Sequence, residues 1–378
     1  LNSSVTGNIR NSSVELLRLI AMFMITYRHA ILENGTTDDL SNWMLSQPVS
    51  FNKYFFQIIV QGGGWVGNVI FFTISAWFLL DRQLSTQSAL KRIWLMEREI
   101  LFWSLTLFAV TILLHTRGLY EGGLVSLGIK SLLPLSFNLW WYPTSFALFL
   151  LFLPYLSKFI HTLGKKLHAA LCVSMLLVWA LAPLIPHVDF NYSSYSVFTF
   201  IYIFIIISYY KMYMKSFAGK TCVLLIFGGL ALNSVYWAIG NVLLVMTGKA
   251  VSLQDYLILN CSISEIMIGI GIFLLFEKVK FHSRAINAVA GSAFGIYLIH
   301  MYPGLKHIWP TLLPFRDSFS FLSAIPTSLL FAIYIYCCCL TLDLCRQGIF
   351  FITVNRHKGK GFNQFYAFIT HKLHRTRN

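Results

Sequence analysis

Long apolar stretches alternate along the chain with short clusters of polar and charged residues. The longest apolar runs are Gly62 to Leu80, Ala169 to Ile185, Phe198 to Tyr210, Ile266 to Phe276 and Phe321 to Leu342. About 20 such residues in a helix cross the hydrocarbon core of a bilayer. Cutting at the polar clusters predicts ten helical spans, over residues 14–32, 61–80, 96–115, 139–157, 168–186, 195–214, 221–246, 256–276, 286–303 and 321–344. The expected fold is therefore an all-α integral membrane protein. Residues 1–345 form a single polytopic domain and 346–378 a basic, aromatic tail, with no repeat or long linker to mark a second module.

An even number of spans returns both termini to the same side, and loop charge assigns that side, because Lys and Arg accumulate in short cytoplasmic loops. Of the 29 lysines and arginines, 21 fall on the side of the termini, including Arg10, Arg82, Lys91, Arg92, Arg98, Lys211, Lys278, Lys280, Arg284, Arg346, Lys358 and Arg377. The opposite loops hold Lys53, Arg117, Lys130, Lys249, Lys306 and Arg316, while Arg18 and Arg28 lie inside the first span. Both termini are expected in the cytoplasm. Composition agrees: 57% of residues are hydrophobic and only 11% charged, against about 25% charged in soluble domains. That excludes a water-soluble enzyme and intrinsic disorder. The net charge of +15 is concentrated where the anionic inner leaflet attracts it, so no nucleic-acid partner is needed to explain it. The tail mixes cations with Phe350, Phe351, Phe362, Phe365 and Phe368, which suits either an interfacial helix on the cytoplasmic leaflet or a poorly ordered segment.

The seven cysteines, Cys261 among them, lie in or beside apolar spans and imply no disulfide framework. The run Cys337-Cys338-Cys339 points to successive faces of one helix, so no metal is expected. Gly62-Gly63-Gly64 enters the second span and permits close packing or a bend. Neither a cleavable signal peptide nor a further domain after the last span is expected, so any transfer chemistry is expected to occur within the membrane domain itself.

Ionisable groups inside spans are costly and mark functional candidates. The first span has the densest set, Glu15, Arg18, Arg28 and His29. Arg18 and His29 are eleven residues apart on nearly one face, about 16 Å along the axis. That matches an extended pantetheine arm, so one helix can hold the phosphate end of a coenzyme A thioester near Arg18 and offer His29 to the thioester. In the competing reading, Arg18 snorkels to the headgroups and His29 is a hydrogen-bonded packing group. Among other polar residues, Glu265 can orient an imidazole, neutralise Arg18 or bind water, and Asp343 reads as interfacial. His115, His161, His168, His187, His282, His307, His357, His371 and His374 read as solvated.

These residues carry a resemblance. Glu15-Leu-Leu-Arg18, continuing to His29, is similar to the opening motif of the acyltransferase-3 family of integral membrane acyltransferases. Asn68-Val-Ile-Phe71-Phe72-Thr-Ile-Ser75-Ala76-Trp77-Phe78-Leu79 resembles the family's Phe-Phe-x-Ile-Ser-Gly-aromatic-x-Leu segment. Trp141-Tyr142 followed by Pro154 resembles its Trp-aromatic helix, and Gly295-Ile-Tyr297-Leu-Ile-His300 its late Gly-x-Tyr-Leu-Ile-His signature. The ending is similar to the branch of Gram-positive surface-polysaccharide O-acetyltransferases. Two departures stand out: Ala76 replaces the usual Gly, and the Arg-Arg-x-x-Arg segment is matched only loosely by Lys91, Arg92 and Arg98, with Glu97 and Glu99 intervening.

The resemblance implies a multi-pass bacterial plasma-membrane enzyme. Such an enzyme takes an acyl group, usually acetyl, from cytoplasmic acetyl-CoA to a hydroxyl of a cell-surface or lipid-linked glycan. It implies that His29 is catalytic with Arg18 as its partner, and that Arg18, Arg92, Arg98 and Ser75 are candidates for donor binding. Trp141, Tyr142, Tyr297, His300 and Glu265 are candidates on the acceptor side. A sugar hydroxyl needs its proton removed to attack a thioester, which an imidazole of ordinary pKa near 6.5 can do; alternatively His29 is itself acylated. Ser75, Tyr142, Tyr297 or a backbone N–H can serve the oxyanion. The competing class is a glycan or lipid carrier or flippase with Arg18, Arg28, His29 and Glu265 lining a path, against which stands the absence of paired broken-helix repeats. Dual-reporter fusions should read the C-terminus as cytoplasmic and the 117–138 loop as external; the reverse would overturn the charge-based orientation.

Overall fold

The computed structural model describes residues 11–32, 40–81, 85–185, 195–248, 262–306, 308, 312–313, 315–357 and 359–375, and among them there is helix but no strand. Arg10, Arg82, His187, Lys249, Cys261, His307, Lys358 and Arg377 lie outside the described residues, as do the side chains of His357, His371 and His374. The principal helices are α1 Ser12–Leu32, α2 Phe51–Leu79, α3 Thr86–Thr116, α4 Leu124–Leu132, α5 Trp141–Leu176 and α6 Val197–Tyr213. They continue as α7 Gly219–Thr247, α8 Ile263–Lys278, α9 Arg284–Val289, α10 Ala293–His300, α11 Ala324–Ile352 and α12 Lys360–Arg375. Each of the ten predicted intervals contains helix.

Among the described residues, five helical segments are long and apolar enough to cross a membrane: α2, α3, α5 extended to Leu181, α7 and α11, with α6 a shorter apolar helix. The first span does not qualify on apolarity because α1 carries Glu15, Arg18 and Arg28. The expected fourth and fifth spans are two helices that meet at a kink at Gly164, whose non-helical φ of 67° is open to glycine at no steric cost. The ninth is broken into α9, a 3-10 turn at Ala290–Ser292, and α10.

The centre of the bundle is α2: 83% of its most apolar window is buried, against 17% to 33% in the other four crossing candidates. It also begins earlier than its apolar pattern suggests, because Ser50 caps the backbone N–H of Lys53 at 3.2 Å and Phe55–Gln61 is π-helical. Lys53, expected in an open outer loop, is instead buried, its ammonium donating to the carbonyls of Leu45 and Gln47 at 2.8 Å each. Those two carbonyls replace the water that a buried ammonium would otherwise lose.

Helices in lipid associate by close packing rather than by expelling water, so small residues mark their contacts. A Cβ on Gly67 would lie 2.7 Å from the carbonyl oxygen of Ala21, and one on Gly64 would run into the Arg28 side chain at 2.2 Å. The glycine-rich entry of α2 is thus the groove that receives α1. A similar contact joins α7 to α8, where a Cβ on Gly229 would meet the Ser264 carbonyl at 2.6 Å. Helix ends that carry the predicted cytoplasmic charge meet one another. Ser12 Oγ donates to Asn287 Oδ1 at 3.0 Å, Lys211 pairs with Asp81 at 2.6 Å, and Lys278 bonds the Phe217 carbonyl. The tail is helical, and Phe362 and Phe365 of α12 pack on Trp94 of α3 with centroids 6.2 and 5.9 Å away.

Because α1 has backbone, not a flexible tip, facing Gly67, Gly67→Ala should destabilise the protein by about 1–3 kcal/mol. Thermal unfolding in detergent is expected to show a lowered midpoint, whereas Gly219→Ala, with open space around its Cβ, should leave the midpoint unchanged.

Candidate active site

The N-terminal half of α1 faces a cavity of about 540 Å³. Arg18 lines it, held by Glu15 one turn earlier at 2.5 Å, and α2 adds Ser75, α3 adds Arg92 and Glu99, and α5 adds Tyr142. The remaining wall is apolar, including Phe71, Phe146, Leu150 and Phe294. Ser75 Oγ donates back to the Phe71 carbonyl at 3.2 Å, the ordinary use of a serine inside a helix. Two guanidinium groups, with the Glu99 carboxylate also in the wall, can hold an anionic head while the apolar part of the wall receives an uncharged arm.

A second, smaller gap of about 10 Å³ shares Phe71, Tyr142 and Phe294 with this cavity and is closed by Met22, Ile25, Asn68 and Tyr297. Rings mark the route outward: Phe71 to Tyr142 at 5.7 Å, Tyr142 to Tyr297 at 6.0 Å, and Tyr297 to His29 at 6.3 Å between centroids. Tyr142 is buried, and its hydroxyl has no hydrogen-bond partner among the described residues.

The route ends at two buried imidazoles. His29 Nδ1 lies 3.0 Å from His300 Nε2, and His300 Nδ1 lies 2.7 Å from the carbonyl of Ile296, one turn back on α10. A carbonyl only accepts, so His300 Nδ1 carries the proton and, in the neutral ring, His300 Nε2 is an acceptor. His29 Nδ1–H must then donate to it, which leaves the lone pair of neutral His29 on Nε2. Such an imidazole can take a proton at Nε2, and its Nδ1–H bond persists when it does.

A polar network behind the cavity fixes α10. Asp343, expected at the interface, is fully buried on α11 and accepts from Trp103 Nε1 at 3.0 Å, Arg346 Nε at 2.7 Å, Arg346 Nη2 at 3.1 Å and Gln347 Nε2 at 3.1 Å. Arg346 also pairs with Glu99 at 3.1 Å, and Gln347 donates to Ser292 at 2.7 Å. The Asp343 carboxylate occupies the space a side chain at 295 would fill, since a Cβ on Gly295 would lie 1.8 Å from Asp343 Oδ1. The glycine that opens the Gly295-to-His300 motif is thus the seat of a carboxylate that joins α3, α10 and α11.

The structure therefore groups Arg18, Ser75, Arg92 and Tyr142 around one cavity, and Tyr297, His29 and His300 just beyond it. Arg98 does not line the cavity. Trp141 packs edge-on against Tyr142 and Tyr195, at 5.6 and 5.3 Å. Glu265 is fully buried in the first turn of α8, where Asn233 Nδ2 donates to it at 3.0 Å, while Arg18 is matched by Glu15. Arg28 faces the other way, with its guanidinium over the Trp65 ring at 4.2 Å. His168, expected in a solvated loop, is fully buried because the bend at Gly164 continues as helix, and it bonds the Ile205 carbonyl at 3.0 Å. Sequence reasoning missed Glu99, Arg346 and Gln347. Only Glu99 left a trace, as an acidic interruption of a cationic segment.

The model of the acyltransferase-3 family, described as an acyltransferase domain, matches residues 11–344. The chain belongs to that family, and the fold and the match together define a multi-pass membrane acyltransferase. No curated protein and no solved structure matches it.

Removing one member of a buried ion pair leaves the other unpaired in an apolar medium, at a cost of about 3–5 kcal/mol. Asp343→Ala is therefore expected to lower the detergent melting midpoint well below that of Ser75→Ala, whose hydroxyl donates to a carbonyl of its own helix. Equal midpoints would contradict the network's structural role.

Proposed function

We propose that the protein transfers an acetyl group from cytoplasmic acetyl-CoA to a hydroxyl of a surface or lipid-linked glycan, in a bacterial plasma membrane crossed ten times with both termini inside. The observation that carries this is the His29–His300 hydrogen bond at the end of an aromatic passage from a cavity holding Arg18 and Arg92. The asymmetric loop charge supports the orientation. The similarity of the ending to the Gram-positive surface-polysaccharide branch supports the acceptor class.

In this reading Arg18 and Arg92 hold the donor's phosphates, and Phe71, Phe146 and Phe294 enclose its arm. The glycan hydroxyl approaches from the outer side of His29. His29 Nε2 takes the hydroxyl proton as that oxygen forms the new C–O bond, while Tyr142 Oη donates to the carbonyl oxygen as negative charge builds there. Collapse breaks the C–S bond, and the proton passes from His29 Nε2 to sulfur, which leaves as the free thiol of coenzyme A. Donor thioester and alcohol become ester and thiol, and His29 returns to its neutral form. His300 positions His29: by accepting from Nδ1–H it selects the tautomer with the lone pair facing the reaction and steadies the transient imidazolium.

The test is the O-acetyl content of the producing cell's surface glycan, read by proton NMR in intact, gene-deleted and His29→Ala-restored strains at matched protein level. Deletion should remove O-acetyl signals, and His29→Ala should fail to restore them, in line with the roughly 10²–10⁴-fold contribution of a positioned general base. If glycan quantity falls with acetylation per sugar unchanged, the protein acts as a carrier and this assignment fails.

A further inference from the structure

We infer that the small gap between the cavity and the His29–His300 pair is the acyl pocket, and that Met22 and Ile25 limit the transferred group to two carbons. This rests on the reading of the protein as an acyl-CoA-dependent transferase. Arg18, Met22, Ile25 and His29 are separated by four, three and four residues, the spacing that keeps side chains on one helical face. Along that face the surroundings change in order. Arg18 lines the large cavity, Met22 and Ile25 line the gap, and His29 meets His300. A donor anchored at Arg18 and extended toward His29 lies along this face, so its acyl end meets Met22 and Ile25 before anything else on α1.

The gap of about 10 Å³ is close to the space a single water-sized group needs, which is also the scale of a methyl group. Its walls resist expansion. Met22 and Ile25 are each 2% exposed and Tyr297 is 4% exposed, and Phe71 and Tyr142 close the inner side edge-to-face at 77°. An acetyl methyl fits, whereas each further methylene must displace a packed side chain. Two polar side chains border this enclosure, Asn68 and Tyr142, and the Tyr142 hydroxyl, on a residue 6% exposed that lines both spaces, has no protein partner among the described residues. A thioester carbonyl whose methyl occupies the gap would give that O–H an acceptor.

The experiment uses inside-out vesicles from the producing cell, carrying its own glycan and the full-length protein, and follows thiol release from acetyl-, propionyl- and butyryl-CoA above gene-deleted vesicles. Wild-type protein should prefer acetyl-CoA over butyryl-CoA. Ile25→Ala and Met22→Ala should raise the butyryl-to-acetyl ratio of kcat/KM by about tenfold or more, the scale on which a hydrophobic pocket discriminates by one or two methylenes. Ile25→Val, which removes one methyl and threatens folding least, should shift the propionyl ratio in the same direction by a smaller factor. Tyr142→Phe should lower kcat for every donor without moving the ratios. If wild-type vesicles release no thiol from acetyl-CoA beyond the deletion background, the transferase reading itself fails. If acetyl-CoA is used and the ratios stay fixed in all three α1 variants, the reading stands and the acyl-pocket assignment is wrong, the gap being only part of the arm's passage.

Discussion

Polar and ionic side chains buried in an apolar bundle must find partners inside the protein, and nearly everything distinctive about this structure follows from that requirement. Water is absent from a bilayer core, so each unsatisfied group costs several kcal/mol. Arg18 is answered by Glu15 within the same helix, Arg346 by Asp343 and Glu99, and Lys53 by the carbonyls of Leu45 and Gln47. His29 and His300 answer each other, and the Ile296 carbonyl fixes which nitrogen of the pair holds which proton. The fixed tautomers are thus a consequence of burial rather than an addition to it.

Positioning those partners requires helices to approach closely, and glycine supplies the approach. Gly64 and Gly67 admit α1 against α2, and Gly295 admits the Asp343 carboxylate against α10. The two contacts seat the two imidazole-bearing helices: α1 lies against its neighbour α2, and α10 packs on α11, where Asp343, which accepts from Trp103 of α3, faces Gly295 and Gln347 donates to Ser292 just before α10. The cavity is the space left between them, with the cationic groups at one end and the imidazole pair beyond the other. A cationic group and a buried imidazole stand at a fixed separation because one helix face carries both.

Much of the site was legible in the chain because its signals are local. The eleven-residue separation of Arg18 and His29 is a property of a single helix, and the late motif names Tyr297 and His300 together. Signals that depend on which helices touch were not legible. Asp343 looked interfacial because it stands near the end of an apolar run, and His168 looked solvated because Lys165 and Lys166 precede it. Both are fully buried once the helices assemble. Glu265, free on paper to meet Arg18 or an imidazole, is instead paired with Asn233 across the contact between α7 and α8.

By itself the sequence determined the helical class, that helix falls within each of the ten expected intervals, the charge asymmetry and the face of α1 that carries Arg18 and His29. These depend on apolar run length, charge content and helical period, all of which are set by neighbours in the chain. Only the tertiary structure decided that His29 bonds His300, that a carboxylate on α11 occupies the seat of Gly295, and that Met22, Ile25 and Tyr142 enclose one narrow gap. Those outcomes join residues as many as 271 positions apart, and a contact between distant segments is fixed by packing volume and by the partners left available after every other buried group has been matched.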